Sequence, residues 1–274
     1  MLSRFHLDDK VALITGGGGL LGYYHADALL ELGAVVVLLD VDKAKAARNV
    51  DKLTDKYGSK VSFLVSDVTD EKIIKENSTY LLDKYGSIDI LINNAAIDPK
   101  VTQTQLDSRT SRLEEFPLAQ WELEITTGLT GAFICSKIFG AGMARGNGGT
   151  IINVSSDLGI IAPDQRLYSC SESPLEHRAV KPVTYSVIKH GIIGLTKYLA
   201  TYWEKGRIRS NALCPGGVLA DQPRDFVEKV NQLIPMGRLA YPYEYREAIQ
   251  FLASDASSYL NGAVIPIDGG RSAW

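Results

Sequence analysis

Four consecutive glycines, Gly16 to Gly19, stand between an apolar run, Val11-Ala-Leu-Ile14, and a helical pattern that starts at Leu20-Leu21 and carries a further glycine, Gly22. Glycine takes the tight, positive-φ turns such a junction needs, and its missing side chain lets a ligand approach the backbone. The helix that follows offers unbonded N–H groups and the positive end of its dipole, so residues 15–22 read as a pyrophosphate cradle. A plain turn is the alternative. The next apolar run, Val35-Val-Val-Leu-Leu39, ends in Asp40, 18 residues after Gly22. That offset suits a carboxylate accepting hydrogen bonds from a dinucleotide ribose, the alternative being a solvated strand-end group or helix cap. A carboxylate there repels a 2′-phosphate and the loop holds no Arg or Lys, so NAD is the expected cofactor.

The rest of the chain keeps one rhythm. Apolar or β-branched runs at 11–14, 35–39, 61–65, 90–92, 150–154, 209–213 and 263–267 alternate with helical patterns such as 20–32, 71–85, 121–143, 184–204 and 243–253. This is the signature of βαβ units and a parallel sheet covered on both faces. The expectation is an α/β, Rossmann-type doubly wound fold, with α/β/α layers around a seven-stranded parallel sheet. No composition break marks a boundary, so residues 1–274 are expected to form a single domain. Two polar stretches, 98–117 and 157–183, interrupt the rhythm and read as substrate-loop insertions, because both follow strand ends, where ligands bind in open α/β sheets. Asp67, after the third run, suits either an adenine contact or a cap for the helix at 69–85.

Composition excludes other classes. Lys and Arg number 29 against 32 Asp and Glu, a formal net charge of −3, so nothing points to a nucleic-acid or anionic-membrane partner. Cys135, Cys170 and Cys214 form neither a CxxC nor a Cys/His cluster, which argues against a metal site or a disulfide framework. Residues 1–10 lack a signal-peptide core and no run is long enough to span a bilayer, so a soluble cytoplasmic protein is expected.

Tyr185 and Lys189 lie four residues apart at the start of a helical pattern and therefore share a face. An ammonium near a phenol favours the phenolate, as a general acid/base at working pH requires. Ser155 and Ser156 end the 150–154 run, where either hydroxyl can meet a reacting oxygen. Taken alone, a Tyr/Lys pair at helical spacing is commonly surface decoration.

Taken in order, these motifs resemble those of the short-chain dehydrogenase/reductase family over almost the whole chain. The resemblance runs through the loop 15–22, Asn93-Asn94-Ala95-Ala96, Ser156, Tyr185-Ser-Val-Ile-Lys189, Asn211-Ala-Leu-Cys-Pro215-Gly216, and Asn261-Gly262 to Asp268-Gly269-Gly270. It implies hydride transfer between nicotinamide and a substrate carbon, with Tyr185 exchanging the proton at oxygen, Ser156 orienting that oxygen, and Lys189 holding the ribose and favouring the phenolate. It also implies cofactor contacts from Gly16, Gly19, Leu20, Leu21, Gly22, Asp40, Asp67 and Val68. Further contacts are implied from Asn94, Ala95, Ala96, Tyr185 and Lys189, with Pro215, Gly216 and Val218 at the carboxamide. Members of this length are usually homodimers or homotetramers built on the long helices, and the terminal Arg271-Ser-Ala-Trp274 is positioned to reach a neighbour.

Four departures stand out. Leu20 replaces a loop glycine; Gly128, three residues before the glycine of Gly131-Ala-Phe133, replaces the family's catalytic asparagine; and Ala220 replaces a threonine at the carboxamide. At Gly128 a water held by backbone carbonyls is expected in the vacated space. Finally, Ser156 and Tyr185 are 29 residues apart, well beyond the family's usual spacing. The extra segment carries Asp164, Gln165, Arg166, Tyr168, Glu172, His177, Arg178 and Lys181, suited to a polyol or anionic ligand or, alternatively, to a solvated or subunit-contacting loop. Gln165 and Arg166 are the substrate candidates. Segments such as Ala162-Pro-Asp-Gln-Arg-Leu-Tyr168 look like a bacterial branch linked with flagellin modification and nonulosonic sugars. The expected function is NAD(H)-dependent oxidation or reduction of a sugar-like, polyhydroxylated small molecule. A 3-oxoacyl thioester reductase and a non-catalytic dinucleotide-binding scaffold are the alternatives.

Overall fold

Seven strands take up the apolar runs: β1 (Val11–Thr15), β2 (Val35–Asp40), β3 (Val61–Val65), β4 (Ile90–Asn93), β5 (Gly149–Val154), β6 (Ile208–Pro215) and β7 (Val264–Ile267). In the computed structural model, which describes residues 2–97, 108–168, 179–204 and 207–274, they form one parallel sheet in the order β3-β2-β1-β4-β5-β6-β7. Among the described residues the helices are α1 (Leu20–Glu31), α2 (Lys43–Tyr57), α3 (Glu71–Tyr85), α4 (Leu118–Ile125), α5 (Gly131–Arg145), α6 (Val183–Tyr202), α7 (Arg224–Asn231) and α8 (Arg246–Ala253). Successive strand side chains point to opposite faces. Ala12, Ile14, Val36 and Leu38 therefore pack with α1 and α8. Val11, Leu13, Val37 and Leu39 pack with α3 and α5 on the other face. The order reverses between β1 and β4, which opens a crevice at the carboxyl ends of the strands.

The elements differ from expectation in three places. The polar helices α2 and α7 had no counterpart among the expected elements. The single helix expected over 121–143 is α4 and α5 joined through a π-turn, Thr126–Thr130, in which the Gly131 N–H reaches the Thr126 carbonyl. Asp67 does not cap α3: Asp70 does, accepting from the Lys72 and Ile73 N–H groups, while Asp67 accepts from the N–H and hydroxyl of Thr69. The polar stretches contain short 3₁₀ turns at Ser108–Ser111, Leu113–Glu115, Asp157–Gly159 and Gln165–Tyr168. Cys170, Glu172, His177 and Arg178 lie outside the described residues. Among the described residues no helix is long and apolar enough to cross a membrane, and no His, Cys, Asp and Glu side chains cluster as metal ligands.

Candidate active site

The glycine loop is shaped by its neighbours as much as by its own composition. Gly16 has φ +63°, and a Cβ there would stand 2.8 Å from the Ala95 Cα. A Cβ on Gly22 would stand 2.5 Å from the Gly16 carbonyl oxygen. The Asn94 side-chain amide donates to the Thr15 and Gly16 carbonyls, and the Thr15 hydroxyl accepts from the Asn94 and Ala95 N–H groups. Asn49, on α2, donates to the Gly17 and Gly19 carbonyls. Half-buried Asp40 accepts from the Gly18 N–H at 2.8 Å through one carboxylate oxygen and from the Asp42 N–H at 2.8 Å through the other.

The helix N-termini along this edge are finished differently. Aspartates cap α2 and α3, whereas α1 begins at Gly19 with no side-chain cap and no acidic residue in its first turn. No acceptor among the described residues takes the Leu20, Leu21 and Gly22 N–H groups. Uncapped donors beside glycines that exclude side chains suit a pyrophosphate, and Asp40 suits a ribose at the end of β2, so the residues present fit a dinucleotide. Exposed Asp67 and buried Val68 follow β3, and exposed Ala96 follows Ala95. A Cβ on Gly131 would press on Val68 at 2.6 Å. Pro215 and Gly216 end β6, where Tyr245 donates to the Gly216 carbonyl at 3.3 Å. Val218 bridges to Ala240, and Gln222 folds back to donate to the Val218 carbonyl and accept from the Ala220 N–H.

At the end of β5 the Ser156 hydroxyl donates to Asp157 at 2.8 Å and accepts from the Leu158 N–H. Burial raises the Asp157 carboxyl above its ordinary range, although the Arg271 guanidinium lies 3.6 Å away. Ser155 donates to the Lys189 carbonyl at 2.7 Å, tying β5 to α6. Lys189 is buried, donates through Nζ to the Val154 carbonyl at 3.0 Å, and lies 5.7 Å from the Tyr185 ring centroid. A second ammonium, that of Lys181, lies nearer, 3.9 Å from the same centroid. Nothing in the bare spacing of Tyr185 and Lys189 pointed to it.

Gly128 is buried in the π-turn, close against Ile188. A Cβ there would meet Ile188 Cγ2 at 2.9 Å and Cδ1 at 3.2 Å. An isoleucine from α6 therefore borders the point where the side chain of the family's asparagine would start. One turn earlier Glu124 accepts from Thr184 of α6 and from Gln120.

Gln165 lines an open cavity of about 330 Å³ with Arg112, Lys181 and Ser186. Its side-chain oxygen accepts from the Lys181 N–H. Arg166 is 87% exposed and turned to Asp164, so it faces solvent on that side. At the chain end Trp274 donates to the Leu233 carbonyl of its own chain.

Residues 20–272 match the family profile described as enoyl-(acyl carrier protein) reductase. D-threitol dehydrogenase of Mycolicibacterium smegmatis is 32% identical over 97% of this chain and 94% of its own. The 3-oxoacyl-(acyl-carrier-protein) reductase FabG of Thermotoga maritima is 34% identical over 96% of this chain and 98% of its own. Among solved structures, a gluconate 5-dehydrogenase from Burkholderia cenocepacia, in complex with NADP and tartrate, superposes with a TM-score of 0.85 at 28% identity, covering 100% of this chain and 99% of that one. Matches that run the length of the chain in both profile and sequence leave one conclusion about descent: this chain belongs to the short-chain dehydrogenase/reductase family.

Proposed function

We propose that this oxidoreductase uses NAD(H) to interconvert an alcohol and a carbonyl on a sugar-like, polyhydroxylated substrate, with Tyr185 as general acid/base. The observation that carries the reading is the meeting of Tyr185, Lys189 and the Ser155-Ser156 end of β5 at the same sheet edge as the uncapped glycine loop. A dinucleotide whose pyrophosphate lay in that loop would supply the hydride acceptor or donor through its nicotinamide. In the oxidation direction Tyr185 takes the hydroxyl proton; in reduction it returns a proton to the carbonyl oxygen. Ser156, its hydroxyl already oriented by Asp157 and the Leu158 N–H, holds that oxygen. Lys189, anchored at the Val154 carbonyl, stabilises the phenolate and reaches the ribose. Asp40 favours NAD over NADP by its charge, although the gluconate 5-dehydrogenase structure contains NADP. The threitol and gluconate dehydrogenases support a polyol, and the cavity beside Lys181 offers it Arg112, Gln165 and Ser186 among apolar neighbours such as Leu113 and Val183.

Reduction of a 3-oxoacyl thioester is the second reading, favoured by the FabG relative. The branch linked with flagellin modification and nonulosonic sugars is a finer assignment that rests on sequence segments alone. As a cytoplasmic enzyme it would act as a single domain assembled into a homodimer or homotetramer, for which the exposed Phe133 of α5 and Tyr198 and Tyr202 of α6 offer apolar surface. The test is a screen of polyols, aldonates, nonulosonates and acyl thioesters for change in the reduced-nicotinamide absorbance, repeated with Tyr185→Phe. Turnover on a polyol that the variant lacks is expected; turnover that survives Tyr185→Phe overturns the assignment of the acid/base.

A further inference from the structure

The ammonium nearest the Tyr185 ring comes from the segment before α6, not from the helix itself. Lys181 lies 3.9 Å from the ring centroid, against 5.7 Å for Lys189, whose Nζ is also held by the Val154 carbonyl. The backbone fixes this placement at consecutive residues. The Val180 N–H donates to the Ser111 hydroxyl at 3.1 Å, the Lys181 N–H donates to Gln165 at 2.8 Å, and Pro182 then stands at the N-cap of α6 with φ −53°. Both stretches that interrupt the alternation of strands and helices therefore brace Lys181 against the tyrosine.

The charged groups on the elements packed about the start of α6 are mixed. Lys189 lies on α6 itself; Glu124 of α4 is engaged by Thr184 and Gln120; Asp157, in the turn after β5, has Arg271 against it and Asp268 near; and Arg112 and Glu114 share with Lys181 the lining of the cavity. A cation over an aromatic face is attracted by the ring quadrupole, and the attraction grows when the ring becomes a phenolate. We propose that Lys181 is a positioning residue for the proton transfer: its ammonium, set on the face of Tyr185 by Ser111 and Gln165, stabilises the phenolate beside the contribution of Lys189. This rests on Tyr185 being the acid/base. It gives the two inserted stretches a role in the chemistry, since shifting either one moves the ammonium off the ring.

The experiment compares wild type, Lys181→Met and Lys181→Arg, each with and without Tyr185→Phe. The first readout needs no substrate: the pH titration of tyrosinate absorbance, taken as the difference between each background and its Tyr185→Phe partner. The second is the pH profile of NAD-dependent oxidation, with threitol and gluconate as probes. Lys181→Met is expected to move the Tyr185 titration and the basic group of the kcat profile up by about one pH unit, with kcat at pH 7 about tenfold lower. Lys181→Arg should restore both. A Lys181→Met titration that coincides with wild type, or a Met-induced shift that Arg fails to reverse, overturns the proposal. If neither probe is turned over, or turnover survives Tyr185→Phe, the functional reading fails while the absorbance titration still decides the effect of Lys181.

Discussion

Gly128 and Ile188 behave as one packing unit, and a double-mutant cycle measures it. Ile188 is 4% exposed within a small apolar cluster with Ala132 and Ile192. Being β-branched and helical, it is confined largely to one χ1 rotamer, so its methyls cannot swing aside cheaply. The 2.9 Å between a Cβ at residue 128 and Ile188 Cγ2 lies well inside the ordinary carbon contact of about 3.5–4.0 Å. For Gly128→Ala, a propensity gain of about 1 kcal/mol opposes an overpacking cost of about 1–3 kcal/mol, leaving a loss of about 0–2 kcal/mol. Gly128→Asn also brings an amide into the cluster, at a further cost of about 1–3 kcal/mol. Ile188→Ala alone removes buried methyls and costs about 2–5 kcal/mol. When Gly128→Asn and Ile188→Ala are combined, the introduced amide enters the space that the isoleucine has left, so the cycle should return a favourable coupling of about 1–3 kcal/mol. Thermal unfolding at fixed protomer concentration reads this, each kcal/mol corresponding to about 2–4 °C at this chain length. Additivity within about 0.5 kcal/mol refutes the packing argument. So does a Gly128→Asn variant as stable as wild type.

Two further outcomes follow from the geometry. A 2′-phosphate beside Asp40 meets like charge worth about 4 kcal/mol per unit pair at 4 Å and an effective dielectric of about 20, which solvent at this half-buried site reduces. Wild type should therefore bind NADH on the order of 100-fold tighter than NADPH in fluorescence titration. Asp40→Ala should lose the preference and weaken both cofactors, because the Gly18 N–H loses its acceptor; equal or tighter NADPH binding by wild type refutes this. His25 is fully buried with neither ring nitrogen hydrogen-bonded among the described residues, and burial pulls it down to about 3. A value depressed below the unfolded one gives stability that is present above about 6.5 and lost as pH falls toward the folded value, by up to about 1.4 kcal/mol per unit. His25→Leu should hold its melting temperature at pH 7.5 and flatten the acid decline between pH 6 and pH 4; parallel declines would count against His25 as the cause.

The elements most legible in the sequence are the strands, each of which lies within a residue or two of its expected span. The inner ones are covered on both faces, so their apolar runs stand out over any turn, and the part-exposed edge strands β3 and β7 keep enough apolar residues to show the same pattern. Helix α2 is less legible because only Ala46 and Leu53 are buried along its 15 residues, so it lacks the apolar content by which the other helical patterns stand out. In α7 only Val230 is buried. The π-turn was hidden for another reason: one extra residue per turn shifts the apolar face slightly, and the sole local cue was a glycine that also read as a missing catalytic side chain. The Gly128–Ile188 exchange joins residues 60 apart in sequence, each ordinary until α4, α5 and α6 are packed together. Lys181 was visible as a polar residue in a long insertion, but its place on the ring depends on Ser111 and Gln165.

The same logic explains why Leu20 can stand where the family has a loop glycine. A glycine is required where the backbone takes positive φ or where another backbone group closes in, and here those conditions fall most sharply on Gly16 and Gly22 and less tightly on Gly18 and Gly19. Leu20 is the first residue of α1, its side chain 48% exposed, so it meets neither condition. The loop's shape is then set from outside by Asn49, Asp40 and Asn94, which occupy the Thr15, Gly16, Gly17 and Gly19 carbonyls and the Gly18 N–H. With those groups satisfied, the Leu20, Leu21 and Gly22 N–H groups at the head of α1 have no acceptor among the described residues. Cofactor affinity should therefore depend more on Asn49 and Asn94, whose side-chain amides hold the loop's carbonyls, than on the number of glycines in it. The mechanism is preorganisation: the loop's conformational entropy is given up during folding and not again on binding.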